Sequence, residues 1–151
     1  MSPGAVVRRL GPADLDAFRA LNALFAEVFG DAPAYAERPP SDAYARDLLA
    51  KPHVVALVAE RDGGIVGGLV AYELEKLEQA RSEFYIYDLA VAADRRRQGI
   101  ATTLIGTLRV IAAGRSAQVV FVQADYVDPP AIALYEKLGT REEVLHFDIP
   151  V

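Results

Sequence analysis

The order of apolar segments predicts an α/β (α+β) domain: a strand, two helices, three strands, a helix, a strand, a helix and a final strand. Two observations carry this reading. The apolar, strand-like stretch Phe84 to Val91 is followed, after a polar loop, by Ile100, Leu104, Leu108 and Ile111 at helical spacing. Asp62-Gly63-Gly64 joins two further apolar segments and is a hairpin signal. The 151 residues are read as one domain, 1–151, able to bury roughly two thirds of its unfolded surface.

Val6 to Leu10 reads as the first strand. Gly11-Pro12 then starts a helix with Leu15, Phe18, Leu21, Phe25 and Val28 on one face, stopped by Gly30-Asp31. Ala32 to Pro40 holds three prolines and is expected to be a connection. Ser41 can cap a short helix that turns Tyr44, Leu48 and Leu49 toward a core and ends at Lys51-Pro52. His53 to Glu60 and Ile65 to Glu75 form the hairpin, and a fourth strand follows the charged stretch Glu73 to Glu83. The helix opened by Ile100 ends near Gly114, and Val119 to Val122 reads as a short buried strand. Asp128-Pro129 starts a last helix with a capping carboxylate and a proline in its first turn, and Gly139 stops it. Val144 to Ile149 alternates as a final strand.

Composition excludes several classes. With no cysteine, the chain has no disulfide, thiolate metal site or cysteine nucleophile, which fits a reducing compartment. No apolar stretch approaches a membrane span, and Met1 to Arg9 lacks a signal core, so the protein is read as cytoplasmic with no membrane partner. A formal net charge of −5 argues against nucleic-acid binding and favours cationic partners. The two histidines, His53 and His146, lack metal-ligand spacing; both are assigned to structure, and no metal is expected.

The run Arg95-Arg96-Arg97-Gln98-Gly99-Ile100-Ala101 is a local exception to the acidic body. It lies between a strand and a helix start, where free backbone N–H groups and the macrodipole favour an anion. Gly99 lets the backbone approach a ligand closely, and the arginines add charge-assisted hydrogen bonds to phosphate oxygens. Neither G-x-G-x-x-G nor G-K-[ST] occurs. The pattern R-x-x-G-x-A from Arg96 to Ala101 resembles the acetyl-coenzyme A loop of the GCN5-related N-acetyltransferase superfamily. The element order also matches that superfamily's fold, a mixed, mostly antiparallel central sheet with helices on both faces.

Longer stretches resemble the type I aminoglycoside (gentamicin) 3-N-acetyltransferases: EQARSE (78–83), YIYDLAV (85–91), RRQGIA (96–101), VQADY (122–126), ALYEKLG (133–139), REEV and HFDI within 141–149. The resemblance implies an enzyme that acetylates the 3-amino group of 2-deoxystreptamine aminoglycosides, with acetyl-CoA as co-substrate, by direct attack of the amine on the thioester, conferring antibiotic resistance. It also implies a small polycationic amine substrate and a homodimer. Other readings stay open: an N-acetyltransferase for a polyamine, another small amine or a protein N-terminus, or a non-catalytic acetyl-CoA-binding module. The chain departs from the resembling family at Val127-Asp128-Pro129-Pro130, which stiffens the loop after VQADY, and at Glu75 and Leu77. Both segments are expected to border the substrate, so substrate preference is where this chain should differ.

Amine acetylation needs a neutral amine, a held carbonyl, a proton acceptor and a leaving thiolate, and no protein nucleophile. By resemblance, the backbone of Leu89, Ala90 and Val91 runs beside the pantetheine arm, and Arg96, Arg97, Gln98, Gly99, Ile100, Ala101 and Thr102 hold the pyrophosphate. Asp88 interrupts an apolar strand, where aspartate is disfavoured, and is the candidate that binds the cationic substrate and accepts the amine proton, directly or through water. Glu83 is a second candidate for the substrate, although in a regular strand it would point opposite Asp88 unless a bulge realigned them. Asp125 and Tyr126, just past the fifth strand, are candidates for the rim. Tyr135 is, by resemblance, the general acid facing the coenzyme sulfur.

Overall fold

The structure, a computed structural model, describes residues 4–151. Strands β1 (Val6–Arg9), β2 (Val54–Arg61), β3 (Gly64–Glu75), β4 (Ser82–Val91) and β5 (Ala117–Val122) form one sheet in that order. The first three pairings are antiparallel. The β4–β5 pairing is parallel, because helix α4 (Ile100–Gly114) carries the chain back between them. The expected mixed, mostly antiparallel sheet with helices on both faces is the fold observed. α4 packs Ile100, Leu104, Ile105 and Leu108 on one face, joined by Leu134 and Tyr135 of α5 (Pro129–Leu138). On the other face lie α1 (Leu15–Phe29) and α3 (Asp42–Ala50), through Phe18, Leu21, Phe25, Ala45 and Leu49.

Two adjacent glycines let both helical layers close on β3. A Cβ on Gly68 would stand 2.0 Å from a Leu21 methyl of α1, and one on Gly67 would stand 2.9 Å from an Ile100 methyl of α4. Asp62-Gly63 closes the β2–β3 hairpin with φ of 53° and 77°, the positive values a two-residue turn requires.

Several boundaries differ from the sequence expectation for local reasons. α1 starts at Leu15 because Asp14 accepts from Gly11 N at 2.7 Å and from Arg8 at 2.9 Å, which makes Gly11-Pro12 the preceding turn. Within the expected connection 32–40 a one-turn helix forms, α2 (Ala32–Tyr35), whose Ala34 N donates to Asp31 at 3.2 Å. Ser41 caps α3 by accepting from Tyr44 N at 3.2 Å, yet Tyr44 is 59% exposed, and Ala45 and Leu49, four apart, are the buried positions. β5 is an edge strand with Val119 44% exposed, not a fully buried one. Val144 to Ile149 joins no strand of its own chain: the open edge of β5 is unpaired and every residue from 140 to 151 is exposed. Among the described residues, no helix is long and apolar enough to cross a membrane.

Candidate active site

β4 and β5 pair only as far as Ile86↔Val122. β5 stops there while β4 runs on to Val91, so the sheet opens into a wedge. A cavity of about 340 Å³ fills it, lined among others by Phe29, Asp88, Leu89, Gln123, Asp125 and Tyr135. Four sequence-predicted residues therefore meet at one place: Asp88, Leu89, Asp125 and Tyr135.

A bulge in β4 aims Asp88. Val70 pairs with Asp88 and Ala71 with Ile86, which leaves Tyr87 without a partner on β3. Before the bulge Phe84 and Ile86 face the α4 core; after it Leu89 packs toward that core and Ala90 toward the α1–α3 core. The parity flip puts Asp88 on the same sheet face as Glu83 and Tyr85. Glu83 does not line the cavity. It lies about 13–17 Å back along the strand, with its carboxylate 3.9 Å from Lys76.

Burial pushes the Asp88 carboxyl above its ordinary range, and a hydrogen bond from Tyr35 pulls in the opposite direction. Tyr35 Oη donates to Asp88 Oδ1 at 2.7 Å. Burial and this ionic acceptor hold the Tyr35 phenol well above its usual value, so it remains a donor. The Tyr35 ring is fixed by Phe25 and Phe29, at centroid distances of 5.7 and 5.6 Å. Beside Asp88 a cluster of tyrosines opens to solvent: Tyr87, 64% exposed, meets Tyr72 at 5.9 Å and Tyr85 at 5.8 Å. Tyr85 donates to Gln123 at 3.0 Å across the wedge. A carboxylate with aromatic faces around it suits a cationic ligand.

Past β4 a 3-10 turn (Ala93–Arg95) leads into the loop before α4. Arg97 and Gly99 both take the left-handed conformation, φ 62° and 77°, and no side chain caps the helix. The first backbone bond there runs from Thr103 N to Gly99 O, at 3.0 Å, leaving the N–H groups of Ile100, Ala101 and Thr102 directed outward at the positive helix end. The basic residues divide by task. Arg95 is held by Asp62 at 3.0 Å, and Gln98 accepts from Arg61 at 2.7 Å. Arg96 and Arg97 are exposed and, among the described residues, form no ion pair. Two free guanidinium groups and three open N–H groups fit a pyrophosphate in charge and in geometry.

Tyr135 reaches the cavity from α5, whose start is fixed by Asp128 accepting from Ala131 N at 3.3 Å. Burial, with the nearby Asp128 charge, raises the Tyr135 phenol to about 12. Tyr126 stands on the outer rim, 73% exposed, and donates to Glu143 at 2.8 Å rather than into the cavity. Tyr35, Tyr87 and Gln123 are members of the site that the sequence reading did not single out.

The sequence profile of the Acetyltransferase (GNAT) family matches residues 18–140. Among solved structures, the chain is similar to an aminoglycoside acetyltransferase from an uncultured soil metagenomic sample, with 54% identity, TM-score 0.96 and coverage of 99% of both chains. It is also similar to a second soil-metagenome aminoglycoside acetyltransferase, solved in complex with sisomicin, with 33% identity, TM-score 0.89 and coverage of 97% of this chain and 96% of that one. Among curated proteins, it is 30% identical over 92 residues to an N-alpha-acetyltransferase of Sulfurisphaera tokodaii, covering 56% of this chain and 55% of that protein. The matches to curated relatives span 39–55% of their lengths.

Proposed function

The chain belongs to the acetyltransferase (GNAT) family, and from that premise we propose that it transfers the acetyl group of acetyl-CoA, the co-substrate of that family, to the 3-amino group of a 2-deoxystreptamine aminoglycoside such as gentamicin. The observation that carries this reading is the half-buried Asp88 carboxylate at the β4 bulge, which lines the wedge cavity. The similarity to two aminoglycoside acetyltransferases, one of them in complex with sisomicin, supports the substrate class.

Each residue then has a task. Arg96, Arg97 and the N–H groups of Ile100, Ala101 and Thr102 hold the pyrophosphate, with Gln98 and Gly99 shaping the loop, and the Leu89–Val91 backbone, which runs on past the end of β5, takes the pantetheine arm. Asp88 accepts the proton of the attacking amine, directly or through water, and its raised pKa makes it a better base than an exposed carboxylate. Asp125, Tyr126 and, farther along the same sheet face, Glu83 draw the remaining ammonium groups toward the entrance. Tyr135 hydrogen-bonds the departing sulfur. Complete transfer from a phenol near 12 to a thiolate whose acid has pKa about 8.5 is uphill by several units, so its role is donation that stabilises developing charge. Acetylation removes a cation that such a drug needs to bind RNA, which is the basis of resistance.

The test is coenzyme A thiol release with acetyl-CoA and a panel of gentamicin, sisomicin, kanamycin, spermidine and an N-terminal peptide, with the acetyl position located by NMR. Rapid 3-N-acetylation of gentamicin is expected. Turnover of spermidine or peptide alone would move the substrate, and acetyl-CoA binding with no turnover would make this a binding module.

A further inference from the structure

The bulge in β4 does more than turn Asp88. In a regular strand consecutive side chains go to opposite faces of the sheet. Here Asp88 pairs with Val70, which packs toward the α1–α3 core, and so shares its face. Tyr87, the residue before it, has its ring on that same face, meeting Tyr72 at 5.9 Å and Tyr85 at 5.8 Å between centroids. The extra residue thus sets an aromatic ring and a carboxylate side by side, and both line the wedge cavity.

Tyr87 stands at the edge of an aromatic floor. Tyr72 of β3, Tyr85 of β4 and Phe121 of β5 pair in register across three strands, with Tyr85 and Phe121 edge to face at 4.8 Å. Cross-strand aromatic pairs of this kind stabilise a sheet, which accounts for those three rings. It does not account for Tyr87, which has no partner on β3 and is 64% exposed. α1 and α3 cover this face over Ala56, Val58 and Ala90, and beyond Tyr72 it is open to solvent at Leu74 and Val119.

The charge around the ring has one sign. Asp88, Asp125 and Asp128 line the cavity, and among the described residues no lysine or arginine does. At the far end of the open face Glu83 pairs across from Leu74, and the nearest ammonium, that of Lys76, is 3.9 Å away in a loose contact.

We propose that Tyr87 is a specificity-determining residue of the acceptor site: its ring face, beside Asp88, holds a non-reacting ammonium group of a polycationic acceptor, whose remaining rings or chain lie along the aromatic floor toward Glu83. The inference rests on the reading of the wedge as the place where a cationic amine is acetylated. A ring face attracts a cation without offering it a proton acceptor. The two tasks are thereby separated, with Asp88 taking the proton of one amine and Tyr87 holding the charge of another. A neutral hydroxyl in the same place gains nothing from the ring, so the subsite selects for charge.

The test is calorimetric titration of gentamicin, and separately of spermine, onto the full chain saturated with coenzyme A, which carries no acetyl group to transfer. Wild type is compared with Tyr87→Phe, Tyr87→Leu and Tyr87→Ala, with folding checked by circular dichroism. Phenylalanine keeps the ring and should bind within threefold of wild type, whereas leucine, which supplies apolar bulk without a ring face, and alanine should each weaken binding about tenfold. Leucine binding as tightly as phenylalanine overturns the proposal, because packing alone would then suffice. Gentamicin bound alike by all four proteins overturns the role of Tyr87 and leaves the aminoglycoside reading standing. Spermine bound in the expected order with no binding of gentamicin supports the role of Tyr87 and removes the aminoglycoside reading. No binding of either amine to wild type overturns both.

Discussion

Tyr35 donates a 2.7 Å hydrogen bond to Asp88, joining the one-turn helix α2 to the bulge of β4 across 53 positions of sequence. The bond gives Asp88 a defined direction and offsets part of the cost of its burial, which raises the carboxyl. Asp88 is thereby kept ionisable while remaining more basic than a solvated aspartate. The role of proton acceptor proposed for Asp88 needs both properties.

Tyr35→Phe removes the contribution that lowers Asp88, so the carboxyl rises further. On the proposed mechanism the ionised form is the active one, and the acidic limb of kcat/KM for the amine should move to higher pH by about one unit, the equivalent of one hydrogen bond to a charged group. A pH–rate profile from 5 to 9 measures it. An unmoved limb contradicts the assignment of that limb to Asp88.

Tyr135→Phe should reduce kcat by about 10- to 100-fold while the Kd for acetyl-CoA changes less than threefold, because in the proposed mechanism the hydroxyl acts on charge that develops only as the sulfur leaves. Steady-state kinetics with calorimetric co-substrate binding separates the two quantities. A parallel loss of affinity would assign Tyr135 to packing.

Arg96→Ala should weaken acetyl-CoA binding roughly tenfold at low salt and less at high salt, since its guanidinium is exposed and screened. Arg95→Ala, which breaks the pair with Asp62 instead, should weaken binding less. Equal effects would remove the division of labour among the arginines.

Outside the site, Glu73 is 6% exposed and satisfied by Arg115 at 2.6 Å and Ser82 at 2.7 Å. Burial pushes its carboxyl up, but the Arg115 and Ser82 hydrogen bonds together hold it below its ordinary value. The stability it contributes is present above the unfolded carboxylate pKa and lost as pH falls through the lower folded value. Arg115→Met should therefore lower Tm at pH 7 by several degrees, with a gap that narrows toward pH 3. Thermal melts across that range decide it, and a gap independent of pH would contradict the account.

Asp88 is legible in sequence because a charge interrupts the apolar run YIYDLAV, and the α4 loop is legible because Arg96 to Ala101 has fixed spacing. The bulge that aims Asp88 is not, since leaving Tyr87 unpaired depends on β3, far along the chain. Tyr35 is hidden for a similar reason. It lies in a proline-rich stretch whose local chemistry predicts a connection, and its value comes from contacts with Phe25, Phe29 and Asp88. Alternation marks Val144 to Ile149 as strand, yet the segment forms none, because alternation gives a periodicity and no hydrogen-bonding partner.

The most direct test of the central claim is kcat/KM for the amine in Asp88→Asn, measured together with acetyl-CoA affinity. Asparagine keeps the size and the Tyr35 contact but cannot take the proton. A fall of about 10²–10⁴ in kcat/KM with co-substrate Kd nearly unchanged is predicted. Activity within threefold of wild type would show that the wedge does its chemistry without this carboxylate.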